Sequence, residues 1–160
     1  MSKAFTSEEN EDEGLGESPA LPPGVVNYMT RKGADRFQKE LEVLEKERQS
    51  LSPAEVTGQN RLRTVERRMR FLSDRLETAK VIDPMTQAAE QALFGATVTL
   101  RDAAGKDQEW RIVGIDEADL DRGWISWQSP LATALLGHRE GDAVAFRDQR
   151  WHVTRIRYES

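Results

Sequence analysis

The apolar positions fall into two regimes along the chain. Leu62, Val65, Met69, Leu72, Leu76 and Ala79 recur at alternating spacings of three and four. Such residues share one stripe of a helix and make a coiled-coil seam. Phe37, Leu41, Leu44 and Leu51 repeat the pattern earlier, with Arg48 in the place of one apolar member. Two amphipathic stripes with a short polar break between them bury themselves most simply against each other. Residues 29–83 are therefore predicted to be an antiparallel helical hairpin. Thr30 suits the N-cap of the first helix, and Gly33 is a tolerated weak point within it. The tip falls within 50–60, where Pro53 cannot sit inside a helix and Gly58 suits a tight turn. Ser52, Pro53 and Glu55 also form a capping-box pattern. The second helix thus begins either at Ser52 or from about Gln59, and runs to about Lys80. Asp83-Pro84 ends it.

Past a linker at 84–93, the period changes to two. Thr97–Leu100, Glu109–Gly114 and Trp124–Trp127 read as strands, the first two joined by a loop at 102–107. Ser129-Pro130 opens a short helix that runs through Leu135-Leu136 to Gly137. Ala143–Phe146 and Trp151–Ile156 make a last hairpin around Asp148-Gln149-Arg150. The predicted class is α+β: a coiled-coil hairpin followed by an antiparallel sheet of about five strands with one short helix, residues 94–160.

Charge refines the division. Over the whole chain the formal net charge is -5. Residues 1–28 hold six acids and one lysine, with Pro19, Pro22, Pro23 and Gly24. That composition predicts a disordered acidic tail. Residues 29–83 hold thirteen bases against ten acids, and 84–160 nine against twelve. A basic hairpin between acidic segments argues against wrapping by nucleic acid, which needs a broad basic face. No apolar run approaches the ~20 residues of a membrane span. The N-terminus lacks the basic and apolar regions of a signal peptide. Cysteine is absent, which excludes disulfides and thiolate metal sites. A cytoplasmic monomer is expected.

Catalytic chemistry is sparse. His138 and His152 have no evident carboxylate or serine partner in sequence. Asp116, Glu117, Asp119 and Asp121 cluster between two strands without the spacing of a calcium loop. The four tryptophans read as core or half-buried sheet residues; a stacking platform for single-stranded nucleic acid would come with a basic groove.

Several ordered motifs resemble one known family. Phe94–Leu100, Ile112–Asp119, Ile125–Ala132, and Ala134–Gly137 followed by Gly141-Asp142 are similar to the C-terminal domain of the Gre family of bacterial transcript cleavage factors. Met29–Gly33 with Glu40-Leu41, and Asn60–Arg63 with Arg67–Leu72, resemble its helices, the latter those of the GreB branch. The resemblance implies an FKBP-like C-terminal domain that docks on RNA polymerase at the rim of its secondary channel. It also implies a coiled coil that enters the channel, with nucleic acid met only indirectly. Acidic tip residues in the family help hold a Mg²⁺ shared with the polymerase, which then cleaves its own backtracked RNA. The resemblance thus implies an accessory factor that is not itself an enzyme and is expected to carry no cofactor of its own.

By position, the resemblance makes Asp116, Glu117, Asp119, Ser129, Pro130 and Leu131 the docking candidates. Asp116 and Glu117 are expected in an exposed loop. Ser129 and Pro130 are also what a helix N-terminus wants. The tip candidates are Ser52, Glu55, Gln59 and Asn60. Here the chain departs from the family. From Gln49 to Arg61 the only carboxylate is Glu55, and the hairpin is about eight residues shorter per arm, or ~12 Å at the helical rise. Loss or reduction of cleavage stimulation is expected. The alternative from another class is a prolyl isomerase or chaperone on the same fold.

Overall fold

The computed structural model describes residues 20–87 and 90–159. Two compact units divide them. Of the described residues, one holds 20–25 and Asp35–Ala79, and the other holds Val26–Ala34 and those from Lys80 on.

The first unit is the helical hairpin without the first turn of its first helix, which belongs to the second unit. Helix α1 is Arg31–Ser50 and helix α2 is Val56–Thr78. The predicted seam is the inner stripe, with Phe37, Val65 and Leu72 buried. Register is fixed by three cross-helix pairs. Glu47 takes the Arg61 guanidinium at 2.8 Å, and Glu40 takes that of Arg68 at 2.7 Å. The rings of Phe37 and Phe71 lie 6.2 Å apart. Each step of seven and then three back along α1 is matched by the same step forward along α2, as antiparallel heptads require. Arg75 is buried to 7% exposure and stacks on Phe71 at 4.9 Å, so part of the basic face is packing, not charge display.

At the tip, α2 begins later than a cap at Ser52 would place it. Glu55 is the residue before the helix, in extended conformation and without a side-chain capping bond. Ser52 Oγ instead accepts from the Ala54 N–H at 3.3 Å, and the Gln59 amide donates to the Pro53 carbonyl at 2.7 Å. Gly58 lies inside the first turn of α2, not in the connecting turn. A Cβ there would stand 2.0 Å from the Ser52 carbonyl oxygen, so the glycine admits the returning backbone.

The second unit begins earlier in the chain than the acidic tail was expected to end. Residues 1–19 of that tail lie outside the described residues. Beyond them Asn27 is buried, and Tyr28–Thr30 forms strand β1, paired in parallel with β2, Lys80–Ile82. Lys80–Ile82 is thus strand rather than helix end, and Asp83 caps a short 3-10 turn, Pro84–Thr86. The expected linker is partly built into this unit too. Ala92 is fully buried, its N–H donating to the His138 carbonyl at 2.8 Å.

The main sheet has strands β3 Ala96–Arg101, β4 Asp107–Val113, β5 Trp124–Ser126, β6 Ala143–Phe146 and β7 Gln149–Tyr158, in the order β5-β4-β3-β7-β6. Three pairings are antiparallel, but β4 and β5 are parallel. The expectation of a wholly antiparallel sheet is corrected there. The connection from Gly114 to Gly123 is a crossover, which returns the chain to the same end before β5 starts. Helix α3, Pro130–Leu135, buries Ala132 and Leu135 against Val98, Leu100, Ile112 and Ile156. Alternate residues turn to the other face. Thr97 is paired with both Arg111 and Arg157, and Arg111 with Trp124, so these four form one row across four strands.

Candidate functional site

Because β4 and β5 run in parallel, the turns that follow them lie at the same end of the sheet. Val113 is in register with Ser126, and the Trp127 N–H donates to the Val113 carbonyl at 2.9 Å. The turn Ile115–Glu117 after β4 is thereby set beside the turn into α3. This brings Asp116 to the same edge as Ser129, Pro130 and Leu131.

The residues at that edge do different work. Ser129 caps α3, its Oγ accepting from the Ala132 N–H at 3.2 Å. Pro130 opens the helix and is exposed, while Leu131 is half-buried against the core. Asp116 is half-buried.

Glu117 is not in an exposed loop. It is 4% exposed. Its carboxylate accepts from the backbone N–H groups of Thr30 at 3.0 Å and Gly114 at 2.9 Å, and from the Thr30 hydroxyl. Two glycines make room for it. A Cβ on Gly33 would stand 2.3 Å from Glu117 Oε1, and one on Gly114 2.6 Å from Oε2. Thr30 Oγ1 also accepts from the Gly33 N–H at 3.1 Å, which is its N-cap bond to α1. The carboxylate so placed also complements the positive end of that helix. Buried charge needs such partners, and two of the three come from Thr30, far away in sequence. The reading of Asp116 and Glu117 as a pair of exposed acids is corrected for both: Asp116 is half-buried and Glu117 is buried.

Asp119 sits further along the crossover and organises a turn. Its side chain accepts from the Asp121 N–H at 3.1 Å and meets the Arg122 guanidinium at 3.4 Å. Its own N–H and carbonyl pair with Trp124, each at 2.9 Å. Arg122 stacks on the Trp124 ring at 5.1 Å, and Arg111 lies over the same ring at 5.6 Å. Beside them is a groove of about 230 Å³ lined by Arg111, Arg122, Trp124 and Arg157 with Glu109 and Glu159. Arg157 is held by Glu109 at 2.6 Å and Glu159 at 2.5 Å. Those neighbours raise its pKa, the Glu159 hydrogen bond most. Acids and bases thus compensate within the groove.

The tip candidates belong to the other unit. Ser52, Glu55, Gln59 and Asn60 are all exposed. Glu55 is the only carboxylate of the tip. The nearest acids along α1 are engaged: Glu45 by Arg48 and Glu47 by Arg61, and each hydrogen bond lowers the carboxyl pKa. Among the described residues no group of three or more metal-ligating acids or histidines gathers. This donor set does not fit a divalent cation held by the chain alone, since Mg²⁺ takes one or two carboxylates together with other oxygen donors. His138 does have a carboxylate partner, contrary to the sequence reading. Asp142 lies 3.2 Å from its Nδ1, four residues on. His152 is exposed.

Local sequence missed Thr30 and Gly33 as partners of Glu117. Leu120 is 74% exposed at the head of the Asp119 turn.

The site lies within a segment that matches a described family. Residues 87–158 fit the model of the C-terminal domain of transcription elongation factors GreA and GreB. Transcription elongation factor GreB of Haemophilus ducreyi is 37% identical over 158 residues, 82% of this chain and 98% of that protein. The GreB of Neisseria meningitidis Z2491 is 51% identical over 88 residues, 54% of this chain, which spans only about half that relative, 54%. A GreA/GreB structure from Nitrosomonas europaea is 20% identical, with a TM-score of 0.42 over 82% of this chain and 98% of that one. The class is that of Gre-type transcription elongation factors. This chain belongs to the GreA/GreB family. Among the described residues no helix is long and apolar enough to cross a membrane.

Proposed function

We propose that this chain regulates transcription elongation by binding RNA polymerase. Its sheet unit docks at the rim of the secondary channel, and its coiled-coil hairpin enters the channel. The observation that carries the reading is the shared edge made by the parallel β4-β5 pair. It presents Asp116 beside the Ser129-Pro130 turn, inside the segment that fits the family model. Asp116, Asp119, Pro130 and Leu131 are the docking residues on this reading. Ser129 holds the turn, and Glu117 holds the loop from behind.

The hairpin occupies the channel without supplying the acid pair that cleavage needs. Glu55 is its only tip carboxylate. The aligned 158 positions take in 82% of this chain, so the Haemophilus relative carries residues that this chain lacks. That agrees with a shortened hairpin. The cation of the polymerase stays with the polymerase. An isomerase reading gains nothing from the groove on the sheet, whose charged lining differs from the apolar pocket a proline would need.

Binding of the full-length protein to core RNA polymerase tests the proposal, read by competition with a labelled GreB relative. Displacement of the relative, weakened by Asp116→Ala with Pro130→Ala, is expected. Absence of displacement at concentrations that saturate the relative would refute it.

A further inference from the structure

We infer that Leu120 is the apolar anchor of the docking surface, seated in an apolar pocket of the polymerase whose rim is basic. The inference rests on the docking reading and names a contact within it.

Leu120 is 74% exposed, more than any other large apolar side chain among the described residues. A single exposed leucine is ordinary on a protein surface. This one stands on a hydrogen-bonded turn beside the docking edge. The Arg122 N–H donates to the Asp119 carbonyl at 3.1 Å, and the Gly123 N–H to that of Leu120 itself at 3.0 Å. The Asp119 carboxylate ties down the Asp121 N–H, and both Asp119 backbone groups are paired with Trp124. Arg122 braces the turn from the side through its stack on Trp124. Gly123 closes it at φ 74°, where a Cβ would stand 2.8 Å from the Glu109 carbonyl oxygen. The side chain is therefore displayed on fixed backbone, with little entropy left to lose on binding.

The neighbours define the partner. Asp119 and Asp121 flank Leu120 and Asp116 lies in the turn before it, against one base, Arg122, which pairs with Asp119 at 3.4 Å. An apolar anchor within an acidic surround fits a hydrophobic pocket edged by lysine or arginine. The turn is continuous in sequence with the docking edge, which makes the polymerase the partner that would meet it.

The test is competition binding by full-length Leu120→Ala and Leu120→Asp proteins, with Met85→Ala as an exposed apolar control elsewhere on the same unit. Tryptophan fluorescence melts check that each variant is folded. About tenfold weaker binding is expected for Leu120→Ala, and a larger loss for Leu120→Asp, because charge is carried into an apolar pocket. Met85→Ala should bind as wild type. Wild-type binding that both Leu120 variants leave within about twofold would overturn the inference alone. A wild-type chain that does not bind the polymerase would overturn the docking reading and this inference together.

Discussion

Thr30 and Glu117 are joined by two hydrogen bonds to one buried carboxylate. The Thr30 N–H donates to Oε2 at 3.0 Å and its hydroxyl donates to Oε1. This ties strand β1 and the first turn of α1 to the crossover between β4 and β5. Glu117→Ala would leave the N–H groups of Thr30 and Gly114 without their acceptor, at about 3 kcal/mol of stability in total. Thr30→Ala should cost about 1–2 kcal/mol, as a lost cap and a lost donor. The two changes together should cost less than their sum. All four tryptophans lie in this unit, so denaturant unfolding followed by tryptophan fluorescence reads it directly. A Glu117→Ala protein as stable as wild type would contradict the assignment.

Gly33→Ala inverts the usual helix rule. Alanine favours a helix interior over glycine by about 1 kcal/mol. Here the added Cβ would stand 2.3 Å from Glu117 Oε1. The substitution should destabilise, and combination with Glu117→Ala should remove most of that cost. Thermal melts of the four proteins check it.

The cross-helix pairs Glu40–Arg68 and Glu47–Arg61 set register more than stability. Each is partly exposed, so each contributes little at low salt and less at high salt. Arg61→Glu should lower helicity at 222 nm slightly on heating, and Glu47→Arg in the same chain should restore it. Circular dichroism melts at two salt concentrations measure both effects.

Tyr158 gives the sheet unit an alkaline limit. Burial pushes its phenol pKa up, partly offset by the hydrogen bond it accepts from the Leu93 N–H at 3.0 Å. Its hydroxyl donates to the Gln91 carbonyl. The folded pKa lies above the unfolded value near 10. The stabilisation is therefore fully present below that value and is lost as pH rises through the folded pKa. Tyr158→Phe should be less stable at pH 8 and show a flatter decline above pH 10, measured by fluorescence melts across that range.

What could be read from sequence was local. The seam of α2 was legible because five apolar residues, Leu62 to Leu76, hold one period over the helix. The Ser129 cap was legible because cap and helix are adjacent. Whether Gly58 falls in the turn or in α2 stayed open because its need for space comes from Ser52 across the tip, while the residue itself is helical. The direction of β5 was hidden because its crossover holds two short 3-10 turns in place of a periodic helix. Lys80–Ile82 reads as the tail of a helix until β1 offers a partner. Glu117 has the same difficulty in stronger form. An acid in an acidic loop looks solvated unless the threonine that buries it, 87 residues earlier, is known.

The central claim is that this chain enters the polymerase without equipping it for cleavage. RNA cleavage in a stalled, backtracked elongation complex measures this most directly, with the full-length protein added alone and then together with a GreB relative. The account predicts no stimulation by this protein alone, because Glu55 is the single carboxylate at its tip, and loss of the relative's stimulation as this protein displaces it. Strong cleavage by this protein alone that disappears in Glu55→Ala would contradict the account.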